Sequence, residues 1–413
     1  MGGWKVFLGR LVRRIWFRAA VFSIAAVALA LVAGLLGPFL PDALAVELGQ
    51  NSVDNILQII ASSMLAVTTF SLTAMVQAYS AATTTATPRA TQLLVADPTS
   101  QNALSTFIGS FLFAIVGIVA LSTGYYSGQA RTVLFFGTLV VIAIITITLL
   151  RWIAHLAQFG RMSDVIDRVE DAATRAARDF AARPHLGGRP AAPIPAAARA
   201  VHAEDIGYIT AIDVAALQRI ADDADATVHV TAIPGTVADA TRPLARVVGG
   251  LDEDGCRALR RAFTVDPHRT YEQDPRLGVI ALAEIASRAL SPSTNDPGTA
   301  VEVLGSLQRV FAVLEASPDP DATACDRVFV PAPGIRDLVE DAFRPIARDG
   351  AGMIEVQLRL QKTLAACAAH CPKHAQEFAR AAVAARGRAE RALTERSDRA
   401  LLRRTAREAW AEV

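Results

Sequence analysis

The sequence predicts a mainly α membrane protein: a four-helix transmembrane domain followed by a cytoplasmic α+β half, in which a small β unit precedes a helical bundle. Three observations carry this. Four apolar runs of spanning length lie before Ile153, a basic N-terminal arm faces an acidic first loop, and beyond Arg161 the pattern turns charged and amphipathic. The chain has 413 residues, 52% of them hydrophobic, enough for two or three domains and too apolar for an ordinary soluble enzyme.

A spanning helix needs roughly 20 apolar residues. Residues 19–40, 56–79, 104–124 and 132–153 qualify and place a transmembrane domain over 19–160. The arm, residues 1–18, carries Lys5, Arg10, Arg13, Arg14 and Arg18 without an acid, and the loop after the first span carries Asp42, Glu47 and Asp54 without a base. Basic flanks stay inside, so both termini are expected in the cytoplasm. Arg131, in the short outer loop, runs against this pattern. Ala43-Leu44-Ala45 has the form of a signal cleavage site, but the apolar run before it exceeds the 7–15 residues of a signal peptide.

The second span carries no charge between Asn55 and Arg89. Ser62, Thr69, Thr73, Gln77, Ser80 and Thr84 follow spacings of 7, 4, 4, 3 and 4, which keeps them on one narrow helical face. That face reads either as a water path lined by hydroxyls and an amide or as a packing seam with back-bonded hydroxyls. In the first reading Arg89 and Asp97 bias the cytoplasmic mouth, while the face with Ile60, Val67 and Leu72 meets lipid or other helices. In the third span Ser110, Ala114, Gly117 and Gly124 form a small-residue row that reads as packing. Proton-coupled carriers keep an ionisable residue in the membrane, and these spans offer only His155, past the exit of the fourth.

Residues 161–183 form a helical extension and 184–199, with four prolines, a linker. Residues 200–250 read as a small α/β unit with strands over IGYITAID, TVHVTAI and PLARVV, and 251–413 as a helical domain with helices such as 254–265 and a loop over 317–332. The Pro234-Gly235 turn resembles a lipoyl hairpin, yet no lysine is there to carry a cofactor. The only lysines, Lys5, Lys362 and Lys373, leave no Walker loop. The net charge of +1 gives no reason to expect nucleic acid.

Two constellations stand out in the cytoplasmic half. In Ser291–Ala300 the turn Asn295-Asp296-Pro297 suits a helix start, with Asp296 as cap and Pro297 in the first position. Cys367, His370, Cys371 and His374 offer zinc-type ligands, but a row along one helix cannot surround a single ion, so no metal is expected. No Ser/His/Asp set or nucleotide loop is readable, so neither an enzyme nor a cofactor is expected.

RALSPSTNDPGTA, RTYEQDPRLGVIALAEIA, the GYITAID opening and the membrane segments FSLTAMVQAYSAATTTATPRATQLLVAD and RWIAHLAQFGRM resemble a widespread bacterial family of predicted membrane proteins, domain of unknown function 2254. The likeness covers nearly the whole chain and implies an integral protein of the bacterial plasma (inner) membrane, and it implies nothing enzymatic. The Cys/His row is no part of that pattern. Together these features imply a pore-forming or transport-related homo-oligomer in the lipid bilayer with a cytoplasmic regulatory domain. The alternative is a non-conducting membrane sensor or scaffold that binds a cytoplasmic protein partner.

Overall fold

A computed structural model describes residues 15–36, 50–85, 87–95, 97–123, 125, 128–314 and 325–411. The chain divides into two compact units, one running up to Thr84 and resuming over Thr91–Asp164, the other comprising Thr85–Ala90 and everything from Val165 onward. Most of the basic arm and the acidic loop, on which the expected orientation rests, lies outside the described residues.

The first unit holds α1 (Ile15–Leu36), α2 (Gln50–Thr85), α3 (Pro88–Val95, its residues up to Ala90 counted with the second unit), α4 (Pro98–Ser122) and α5 (Gly128–Leu156). Among the described residues, three helical stretches are long and apolar enough to cross a membrane: Ser52–Thr83, Pro98–Ser122 and Gln129–Leu156. The first expected span falls on α1, whose described apolar stretch, Ala20–Val32, is shorter than a span, so three membrane helices are clear where four were expected. α2 has 36 residues and is therefore about 54 Å long, more than a bilayer core requires. It stops short of Pro88, which lacks a backbone N–H and instead opens α3.

The core of this unit joins Leu57, Ile60 and Met64 of α2 to Phe107 and Phe113 of α4 and to Leu134 and Trp152 of α5. Gly117 lets α4 approach α2, since a Cβ there would lie 3.0 Å from Leu57 Cδ1. Ser110 and Ala114 are buried beside it, so this row packs helices; Gly124 lies outside the described residues. Ile59, Phe70, Val140 and Leu150 are each more than half exposed. Such a contiguous apolar exterior is stable against hydrocarbon and a liability in water.

In the second unit α6 (Met162–Ala182) buries Val165, Ile166, Val169 and a run of alanines along one face. Two sheets follow. One has five strands in the order β1 (Arg189–Pro190), β8 (Val328–Val330), β4 (Thr227–Val230), β6 (Pro243–Val248) and β2 (Arg199–His202). The other has three: β5 (Val237–Ala238), β3 (Gly207–Ile212) and β7 (Phe263–Asp266). Their shared core includes Ile209, Leu217, Val228, Leu244, Leu259 and Val330, with α7 (Val214–Asp223) and α8 (Glu253–Arg261) contributing to it. The helical part comprises α9 (Pro275–Ala289), α10 (Pro297–Ala312), α11 (Ile335–Asp349), α12 (Ile354–His370), α13 (Ala375–Ala392) and α14 (Arg396–Ala409). Phe311, Phe343 and Phe378 form its aromatic centre, with ring centroids 5.3–6.4 Å apart.

This architecture corrects the local reading in three places. β7 occupies the end of the expected helix 254–265, β8 lies inside the expected loop 317–332, and β1 lies inside the expected linker. The sheet is thus not confined to residues 200–250, because β8 pairs in parallel with β1 and β4, from about 140 and about 100 residues away. A parallel partner leaves no turn signal beside it, and two- or three-residue strands have no measurable alternation.

Candidate functional site

The polar face of α2 stands directly opposite its packed face. Val53, Leu57, Ile60, Met64, Ser71 and Met75 are buried, whereas Ser62, Thr69, Thr73, Gln77 and Ser80 are all exposed. At 100° per residue the two sets point in opposite directions, and Ser62 to Ser80 spans about 27 Å of helix. Among the described residues of a single chain the stripe therefore neither lines an internal path nor packs as a seam. The Thr84 side chain lies outside the described residues. The opposing trio divides, with Ile60 buried, Val67 half-buried and Leu72 exposed on the flank of the stripe.

Ser62 Oγ donates to Gln58 O at 2.9 Å, Thr69 Oγ1 to Leu65 O at 3.0 Å and Thr73 Oγ1 to Thr69 O at 3.0 Å. These hydroxyls satisfy their own protons on the preceding turn and keep lone pairs facing outward. Gln77 differs from them. Its amide is exposed and makes no hydrogen bond with any described residue. The hydroxyl the sequence reading overlooked is Ser71, which is buried and accepts from Trp152 Nε1 at 2.9 Å.

An ionisable pair also sits in this unit, at the ends of two apolar helices, and it includes the His155 that the sequence singled out. α5 runs on to Leu156, so His155 lies within its last turn. Its Nε2 is 3.0 Å from Asp97 Oδ2, and the two side chains are 17% and 4% exposed. Asp97 caps α4, accepting from Ser100 N at 2.7 Å, and the His155 ring packs between Trp152 and Phe159. A buried Asp97 cannot bias an open mouth. The sequence reading took Asp97 only as a charge; its cap is a local signal that reading missed, and its pairing with a histidine 58 positions further on leaves no local signal.

Arg89 does not stand free either. It forms an ion pair with Glu284, and Tyr271 Oη donates to the Arg89 carbonyl at 3.0 Å. Burial raises the Tyr271 hydroxyl well above its ordinary range, so it remains a donor. At the Asn295-Asp296-Pro297 turn, Asp296 caps α10 by accepting from Thr299 N at 3.1 Å, with Pro297 in the first turn. In the Cys/His row, Cys367 and Cys371 are buried and Cys371 Sγ lies 3.2 Å from Phe311 O, whereas His370 turns back to Ala366 O. His374 follows the break at Pro372. Among the described residues no group of three or more His, Cys, Asp or Glu could hold a metal ion.

A family model described as predicted membrane protein, domain of unknown function 2254, matches residues 12–366. The match takes in the stripe, the Asp97–His155 pair and the Asn295-Asp296-Pro297 turn, and it ends before Cys367. Uncharacterised proteins of Mycobacterium bovis and Mycobacterium tuberculosis are each 32% identical over 154 residues, 35% of this chain and 29% of the relative. The matched stretch thus spans under a third of the length of these curated relatives. No solved structure matches the chain. With most of its length accounted for by that model and long apolar helices to match, the chain belongs to the predicted membrane protein family known as domain of unknown function 2254.

Proposed function

We propose that the protein is an oligomeric channel or transport-related protein of the bacterial inner membrane, non-enzymatic, in which the polar faces of α2 from several copies line a shared path. The observation that carries this reading is the outward stripe: five exposed polar side chains on a helix that carries no charge beyond Asp54, opposite its packing face, with Gln77 unbonded. An amide facing hydrocarbon costs on the order of 2–7 kcal/mol, which water or another copy relieves. The second unit serves as a cytoplasmic regulatory or assembly domain. A neutral hydroxyl lining holds ions weakly, so modest selectivity follows.

The test combines flux and thiol accessibility. The native cysteines are all buried, so introduced ones report cleanly. In liposomes, cysteines at Thr73 and Gln77 should react with a water-soluble thiol reagent while one at Leu72 stays protected, and Thr73→Leu should lower ion flux several-fold. Equal protection at all three sites, with flux unchanged by Thr73→Leu, would sink the conducting path. The second reading, a non-conducting scaffold or sensor for a cytoplasmic protein, draws on the hydroxyls of Ser62, Thr69 and Thr73, which bond their own helix and need no water. A dry stripe in a detergent-purified monomer would favour it.

A further inference from the structure

A cavity of about 100 Å³ lies in the second unit where the end of α6 meets the Ile233-Pro234 turn, the start of α9 and the chain around Pro331. That volume accommodates several water-sized groups, enough for a compact organic molecule. Its walls are apolar and stiff, including Ala176, Phe180 and Pro275. Polar groups of both signs line it as well: Asp179, Arg183, Glu272 and Gln273.

The state of these polar groups suggests what they would bind. Asp179 and Arg183 stand four residues apart, with Arg183 N bonded to Asp179 O as in a helix, the spacing at which a carboxylate and a guanidinium usually pair. Here they pair neither with each other nor with any other described residue. Gln273 is oriented by its amide oxygen, which accepts from Ile212 N at 2.9 Å. Its NH2 makes no hydrogen bond with a described residue and can donate. Arg183 and the Gln273 amide thus supply donors for a carboxylate, while Asp179 supplies acceptors for an ammonium group. Leu186, at the same cavity, holds a left-handed φ of 54°, a conformation a branched side chain adopts only where its surroundings impose it.

We propose that this cavity binds a small zwitterion of the α-amino acid class, its carboxylate on Arg183 and Gln273, its ammonium on Asp179, and a compact side chain against the apolar wall. The ligand would tie α6 to the turn at Pro234 and to the start of α9, giving the second unit a metabolite input. This site is independent of any path along α2.

The experiment is titration calorimetry on the full-length protein in detergent with glycine, L-alanine and L-valine, using acetate and methylammonium as single-charge controls. Saturable binding of at least one zwitterion is expected, weakened tenfold or more in Asp179→Asn and in Arg183→Gln. Both positions are exposed, so their ligand-free melting temperatures should match the parent. Ala176→Leu, which fills the cavity, should abolish binding, and a retained melting temperature would show that the fold survives. No saturation with any zwitterion at millimolar concentration overturns the proposal. So does binding unaltered by all three substitutions, or acetate or methylammonium binding as tightly as the zwitterion. Since no flux is measured, the result is separate from the fate of the conducting path.

Discussion

Asp296 shows how a signature residue can be accounted for by local chemistry. Its carboxylate accepts from the Thr299 amide at 3.1 Å and from the Thr299 hydroxyl at 2.6 Å, and these bonds hold its pKa below the usual carboxylate range. Asn295 just before it takes a φ of 50°, in the left-handed region that asparagine tolerates better than most residues. Asp296→Ala should cost on the order of 1 kcal/mol in a denaturant melt, and Asp296→Asn much less because asparagine also caps well. The folded-state pKa is depressed, so the cap's contribution is complete above the unfolded carboxylate pKa of about 4 and fades as pH falls through the lower folded value. Asp296→Ala should therefore lose the parent's stability change in that acidic window. An alanine variant that keeps its stability but loses all biological activity would give the residue a role beyond capping.

Close approach decides where neighbouring helices in the second unit meet. A Cβ on Gly278 of α9 would fall 2.6 Å from Ala173 Cα of α6, and helix backbone cannot yield as a flexible side chain does. Gly278→Val should destabilise the protein by about 1–3 kcal/mol through overpacking, read as a lower melting temperature. Ala173→Gly in the same chain should recover part of that loss, and no recovery would mean the contact is not the cause. The same principle governs α2, where the arc of polar residues was legible as an arc. Which way it faced was not, because spacing fixes the angle between side chains and not the side on which neighbours lie. The structure turns it away from Leu57, Ile60 and Met64.

For the whole chain, orientation is the property the charges address most directly. The basic arm and acidic first loop predict that a reporter active only outside the cytoplasm is silent when fused after Val413 and active near Gln50. Activity at Val413 would reverse the assignment. A second prediction concerns the end of the chain, where α13 and α14 lie beyond the family match. Phe378 of α13 is fully buried, with its ring edge against Phe311 at 5.3 Å. A chain ending at His374 would expose Phe311 and Phe343, so it should aggregate or be degraded; a soluble, cooperatively melting truncated protein in detergent would refute this.

By itself the sequence determined the membrane class, three apolar helices within a few residues of the spans expected at 56–79, 104–124 and 132–153, the stripe as a single arc, the turn at Pro234-Gly235 and the start of α10 at Asp296. Each of these is written within a window of consecutive residues, by apolar length, by period or by capping chemistry. Only the tertiary structure decided the rest: that His155 meets Asp97, that Arg89 meets Glu284, that β8 completes the larger sheet, and that Asp179, Arg183 and Gln273 share a cavity. These contacts join residues 58, 195, about 100 and 94 positions apart. No periodicity reaches across such distances, because which surfaces meet is settled by packing the whole chain at once.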